Sequence, residues 1–236
     1  MAVIVPIGDG DGEVHALPVL ICRILGNLGA AGLRPSKTAL NAHGGGRLTS
    51  QLDLQGFLEI ARGQKGCRGI LVLADADRDC PKTMAPELAA WARELRLDVP
   101  VAIVVAKCNY EAWFLGSLAS IAGQPLGDRP GVRGDANYEG DPEAATGTKG
   151  RLTNMMPKGR AYKETQDQLA MTRLMDLDLV RERCRSFRRL EKAVKELVEA
   201  IERGEATVTP EPRAKESTPR TPRARESRGR AGRGRR

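Results

Sequence analysis

Aromatic side chains are scarce in this 236-residue chain: three Phe, three Tyr and two Trp, 3% of the sequence. That excludes a surface built from rows of stacking rings and leaves an aliphatic core. Cysteines are few and odd in number, with Cys22, Cys67, Cys80, Cys108 and Cys184 scattered and no Cys-x-x-Cys pair; His15 and His43 are the sole imidazoles. A disulfide framework and a structural zinc are therefore excluded, and the thiols are expected mostly in the core of a protein from a reducing compartment. No apolar run approaches the ~20 residues that a bilayer crossing needs. The start of the chain has no basic segment, and Pro6, Gly8 and Asp9 interrupt its short apolar run. These absences read as a soluble, cytoplasmic protein with no signal peptide and no membrane contact. The chain has no Gly-x-x-x-x-Gly-Lys-Ser/Thr loop either, so it cannot supply P-loop ATP hydrolysis.

Charge is plentiful but unevenly spread. The formal net charge is +8, yet residues 204–236 hold ten Lys and Arg against four Glu, which leaves residues 1–203 near +2. At about 100–200 residues per domain, the length fits one domain plus a tail. The division expected is one α/β domain over 1–203 and a Pro/Arg/Ser-rich tail over 204–236. The tail buries too little surface to offset chain entropy and should be disordered. It would add affinity for nucleic acid by neutralising phosphates and releasing counterions, without reading sequence. A plain solubilising extension is the alternative.

Within the body, strand and helix signals alternate. Ala2–Ile7 is a β-branched run closed by Gly8-Asp-Gly-Asp-Gly12, and Val14, Leu17, Leu20, Ile21, Ile24 and Leu25 then recur at helical spacing. Pro18 is tolerated in a first turn, which places Glu13 at or just before the helix start. Residues 36–42 read as a weak second strand, His43-Gly-Gly-Gly-Arg47 as a loop and 52–61 as a helix. Gly69–Ala74 is an uninterrupted apolar run, as a parallel strand covered on both faces requires. A helix carries Leu88, Trp91, Ala92 and Leu95 on one stripe, a strand follows over 99–106, and a short helix begins near Glu111. Alternation of this kind implies right-handed crossovers and an open, mainly parallel, Rossmann-like sheet flanked by helices. Residues 123–160 have no sustained period and read as a long loop or lid. C-terminal helices fill 163–203, with Thr165–Gln168 as a capping box and Ser186 as the cap of the last helix. The apolar face of that helix, residues 190–201, would bury against the body or against a second copy in a homodimer.

In an open parallel sheet, ligands sit beyond the carboxyl ends of the strands. The residues delivered there are mostly acidic: Asp9, Asp11 and Glu13 after the first strand, Asp75, Asp77 and Asp79 after the third, and Glu111 after the fourth. At an effective dielectric near 20, each close pair of like charges costs on the order of a few kcal/mol unless a cation intervenes. All-oxygen ligands favour a hard divalent ion, Mg²⁺ or Mn²⁺. Asp75 and Asp77 can reach one ion from a strand end, and glycines at 10 and 12 let Asp9 and Glu13 fold towards it. Asp79 and Glu111 are outer candidates. Each acid taken singly reads equally well as a helix cap or a solvated loop residue. Trp113 and Phe114, beside Glu111, read as core. Gly44–Gly46 with Arg47 offers amides and a guanidinium to a phosphate, or else is an ordinary turn.

Two resemblances attach to these residues. Asp9-Gly-Asp-Gly-Glu13 after a first strand, followed about sixty residues later by a strand running into Asp75-Ala-Asp77, resembles the TOPRIM domain of topoisomerases, primases and OLD-family nucleases. More closely, Val5–Glu13 with Ala16–Leu20, Leu71–Pro81, Glu111–Leu115 and Ser186–Leu190 resemble the bacterial family called domain of unknown function 4276, over roughly residues 3–200. The resemblance implies a TOPRIM-like fold and, by analogy, metal-dependent cleavage or transfer at a phosphodiester, with bacterial defence as the setting. It departs at Asp9, where the TOPRIM pattern has Glu; Glu13 would take over part of that general-acid role.

The reading that follows is a Mg²⁺- or Mn²⁺-dependent nuclease with Asp9, Glu13, Asp75 and Asp77 on the ions and Asp79 and Glu111 behind them. Lys158 and Lys163, on or beside the lid, are the expected cations for the developing negative charge. The rivals are a non-catalytic TOPRIM-like subunit working with a separate ATPase, and an aspartyl phosphatase. The phosphatase motif normally follows the first strand rather than the third.

Overall fold

A strand that is apolar on both faces must be covered on both, and Cys67–Asp75 (β4) takes the middle of the sheet accordingly. The computed structural model describes residues 2–212. Ala2–Gly8 (β1) and Val101–Ala106 (β5) pair with β4 on either side, parallel, in registers that set Gly8 opposite Leu73 and Asp75 opposite Ala106. The carboxyl ends of all three strands thus lie at one edge. Two short strands, Leu33–Pro35 (β2) and Leu40–Asn41 (β3), pair with successive parts of β1. They replace the single strand expected over 36–42: the first pairing starts earlier, runs through Pro35 and ends with the Ser36 N–H donating to the Ile4 carbonyl at 2.9 Å, and the second resumes at Leu40. A sixth strand, Val208–Thr209 (β6), adds to β5 and lies in the stretch read as tail. The remainder of that expected disorder, from residue 213, lies outside the described residues.

Side chains alternate across the sheet. Val3, Val5, Ile7, Ile70, Val72, Val101 and Ile103 face the helices Gln51–Arg62 (α2) and Pro81–Glu94 (α3). Ile4, Leu71, Leu73, Ala102 and Val104 face Glu13–Asn27 (α1), Glu111–Gly116 (α4) and the C-terminal helices. Trp113 and Phe114 are fully buried there, as core residues. Pro18 lies in the second turn of α1 rather than the first. The carbonyl of Val14, which loses its helical donor at Pro18, instead accepts the Ala39 N–H at 2.8 Å.

The segment read as a loop over 123–160 contains a 3₁₀ turn at Pro142–Ala144 and a helix, Thr148–Met155 (α6). A short helix, Leu118–Ile121 (α5), precedes it. Pro142, Ala145, Leu152 and Met156 are buried, so this stretch is packed onto the body. Beyond it lie two helices, Glu164–Leu174 (α7) and Leu177–Arg183 (α8). The reach-back bond at the start of α7 comes from Asp167, whose Oδ2 accepts the Lys163 N–H at 2.9 Å, not from the expected Thr165–Gln168 pair. Ser186 lies inside Arg185–Arg203 (α9) and accepts the Trp113 indole N–H at 3.0 Å instead of capping. The apolar face of α9 is buried within the chain, against α1 and the sheet. Of the thiols, Cys67 and Cys184 are buried, Cys108 is half-buried, and Cys22 and Cys80 are exposed, fewer in the core than expected. Among the described residues no helix is long and apolar enough to cross a membrane.

Candidate functional site

The loop after β1 is closed by its own acid. Glu13 opens α1 and is buried, and its Oε2 accepts the Asp9 N–H at 2.7 Å and, at the limit of hydrogen bonding, the Gly10 N–H at 3.5 Å. Gly8 makes room for this, since a Cβ there would stand 2.6 Å from that oxygen. Burial pushes the Glu13 carboxyl up to about 8, and the charges of Asp9 and Glu111 add to the shift against the two amide bonds.

Asp75 ends β4 beside this loop. The residue is partly exposed, but its Oδ1 is fully buried and has no hydrogen-bond partner among the described residues. Burial holds its carboxyl well above the ordinary range, with Glu13, Glu111, Asp9 and Asp77 adding repulsion in that order. Asp9 is raised too, first by burial and then by Asp77, with Lys149 opposing. Asp77 is exposed and left-handed, at φ 47°, and its N–H donates to the carbonyl of Cys108, itself left-handed at φ 62°, at 2.7 Å. Two non-glycine residues in that region are held together where the ends of β4 and β5 meet, a form of strain that collects at functional sites.

Glu111 opens α4 and is also buried. Its Oε1 accepts the Tyr162 hydroxyl at 3.1 Å and lies 3.8 Å from Lys149 Nζ. Burial raises its carboxyl, opposed by Lys149 and the Tyr162 bond. Lys149, on α6, also pairs with Glu164.

A cleft of about 300 Å³ opens at this edge. Asp9, Asp75, Asp77 and Asp79 line it from the strand ends, and Gly45, Gly46 and Thr49 line it from across. Asp79 is exposed, and Lys107 Nζ donates to its backbone carbonyl at 3.1 Å. The expected acids are therefore brought to one edge, with Glu13 and Glu111 buried behind it and Asp75 at the cleft with one oxygen buried. Among the described residues, no three carboxylate, thiol or imidazole groups stand close enough to share one ion as arranged. Two of the buried acids are turned onto donors of the protein itself, Glu13 onto loop amides and Glu111 onto Tyr162. The unpaired, buried Asp75 Oδ1 is the feature that fits a cation.

Lys158 and Lys163 are exposed, on the turn after α6 and at the start of α7, and neither forms an ion pair with the edge acids within the described residues. The cation beside Glu111 is Lys149, which sequence reasoning missed along with Tyr162. Both come from stretches without hydrophobic period, and the signal available was a basic residue inside a Gly/Thr-rich run, Thr146-Gly-Thr-Lys-Gly150.

Comparison with curated proteins and with solved structures returns no match. A family model matches residues 10–195, from the loop after β1 to within α9, and takes in every acid of this edge except Asp9. By that match the chain belongs to the family described as Domain of unknown function (DUF4276).

Proposed function

We propose that this chain is a divalent-cation-dependent, TOPRIM-like nuclease that cleaves or transfers phosphodiesters of nucleic acid. The observation that carries the proposal is the buried Asp75 Oδ1 without a partner, set near Asp9, Glu13 and Glu111, whose proton affinities are raised. A folded chain tolerates such an oxygen where a proton or a cation completes it. Asp75 would hold Mg²⁺ or Mn²⁺ with Asp9 and Asp77, while Glu13, Glu111 and Asp79 set the field around them. Such an ion lowers the pKa of a bound water and neutralises charge on the attacked phosphate.

The chain's own groups supply the rest. Lys149 bridges Glu111 and Glu164, and its charge reaches Asp9 and Asp75 from outside the cleft lining. From there it would offset negative charge developing on a phosphate at this edge. Tyr162 orients Glu111 through its hydroxyl. Asp9 is one methylene shorter than the Glu of the TOPRIM pattern, and the Glu13 carboxyl, protonated near neutrality, is the group able to give a proton in its place.

The test is cleavage of single-stranded DNA, nicked plasmid and RNA by purified protein with Mg²⁺, Mn²⁺ or EDTA. Cleavage should need the metal and vanish in Asp75→Ala. Equal cleavage by that variant, or none by the wild type on any of the three, overturns the proposal.

A further inference from the structure

We propose that the glycine turn across the cleft is a phosphoryl-binding cradle, in which the backbone amides of Gly45 and Gly46 hold non-bridging oxygens of the substrate phosphate. The inference builds on the metal-dependent reading above and supplies the group that meets the phosphate from the side opposite the acids.

Four successive residues are left-handed: His43 at φ 61°, Gly44 at 63°, Gly45 at 67° and Gly46 at 75°. A turn needs one such residue, or two. Four in a row fix three glycines at high entropic cost. The Gly44 N–H donates to the Asp9 carbonyl at 2.6 Å, which ties the turn to the acid edge. Gly45 and Gly46 line the cleft with Asp9, Asp75 and Asp77. Neither amide has a protein acceptor among the described residues.

The turn is also anchored at both ends. Asn41 Oδ1 accepts the His43 N–H at 2.7 Å, and Asn41 Nδ2 donates to Asp11 at 2.5 Å. The Thr49 hydroxyl donates to the Gly46 carbonyl at 2.7 Å. Two amides without protein acceptors therefore stand in a turn that lines the same cleft of about 300 Å³ as the carboxylates. An anion accepts from such amides. A phosphoryl group is the anion that also answers the orphaned Asp75 oxygen, since its other oxygens would share a cation bound there.

The experiment follows backbone amides of the ¹⁵N-labelled full chain in Mg²⁺ while inorganic phosphate is added. Gly45 and Gly46 amide protons should move downfield together as the site fills. The Gly45→Ala, Gly46→Ala double variant, strained at left-handed positions, should bind phosphate about tenfold more weakly or worse, with Mn²⁺ affinity held within about twofold. Gly45→Asn tolerates the left-handed backbone and keeps its amide, so it should retain phosphate affinity within about threefold. Phosphate that binds without moving the two amides, or binds the double variant as tightly as the wild type, overturns the cradle. A wild type that fails to bind Mn²⁺ overturns the metal-dependent reading instead. Phosphate is then added to the metal-free protein: movement of the same two amides upholds the cradle, and their stillness overturns it.

Discussion

Asp75→Asn should move stability and metal binding in opposite directions. The buried Oδ1 has no partner, and leaving such an atom charged rather than neutral, within reach of Glu13, Glu111, Asp9 and Asp77, adds roughly 1–3 kcal/mol to the cost of its burial. Asparagine keeps the shape and removes the charge. In EDTA near pH 8.5 the variant should therefore be more stable than the wild type by about 1–3 kcal/mol. At about 2–4 °C per kcal/mol for a chain of this size, the melting point should rise by about 2–12 °C.

The sign with pH follows from Glu13 and Asp75, whose folded carboxyls both hold protons more tightly than in the unfolded chain. Stability from a raised acid is complete below the unfolded value, 4.5 for Glu13, and is lost as pH rises through the folded value of about 8. Metal-free wild type should thus melt progressively lower between about pH 5 and 8.5, and Asp75→Asn should fall less steeply. Mn²⁺ at about 100 times its Kd adds about 2.7 kcal/mol to a protein that binds it only when folded. That raises the wild-type melting point and leaves the variant where it was. Scanning calorimetry at the two pH values, with EDTA or Mn²⁺, reads all four terms. A variant less stable than wild type at both pH values, with equal Mn²⁺ shifts in both proteins, refutes the reasoning and makes Asp75 an ordinary structural acid.

Lys149→Met should slow metal-dependent cleavage by about a hundredfold while Mn²⁺ affinity, measured by calorimetric titration, is kept or improved, because a cation that competes with the ion for the acids is gone. Gly8→Ala should dislodge Glu13 from the Asp9 and Gly10 amides, since the new Cβ would stand 2.6 Å from its Oε2 and 2.9 Å from its Cβ. Both stability, by about 1–3 kcal/mol in urea titration, and Mn²⁺ affinity should fall. Asp167→Ala serves as the contrast. It strips a buried carboxylate from Arg160, at 2.5 Å, and from the Lys163 N–H, and should cost about 3–5 kcal/mol in the same titration with no change in Mn²⁺ affinity.

The sheet was legible because β1, β4 and β5 carry their instructions locally. Apolar runs of five or more residues that end in Gly8-Asp9, Asp75 and Lys107 can be covered on both faces in one way, and that arrangement delivers the acids to one edge. The cation of the site was not legible. Lys149 lies on an eight-residue helix that includes Gly150 and buries only Thr148 and Leu152, too little for a period to register. Its position depends on packing against α4, which the sequence does not encode within any one window. Ser186 failed as a cap because its hydroxyl is needed by Trp113, and Pro18 was tolerated mid-helix because Ala39 supplied the missing donor. In each case a contact from more than twenty residues away in the chain overrode a sound local rule.

The acid edge gains its meaning from the same long-range packing. Glu13 and Glu111 each sit in the first turn of a helix, where the dipole and free amides ordinarily lower a carboxyl's pKa. Both are raised instead, so desolvation outweighs that benefit at two independent positions. Each buried acid is still held by a donor of its own, the Asp9 amide for one and the Tyr162 hydroxyl for the other. Asp75, which feels both charges, keeps one oxygen with no donor at all. Glu13 ties the loop through its amide bonds, but aliphatic cores on both faces of the sheet supply no reason for crowding three acids behind one edge, where their mutual repulsion opposes folding. Under the metal-dependent function proposed above, these acids would provide the negative field around one bare oxygen that a hard cation needs.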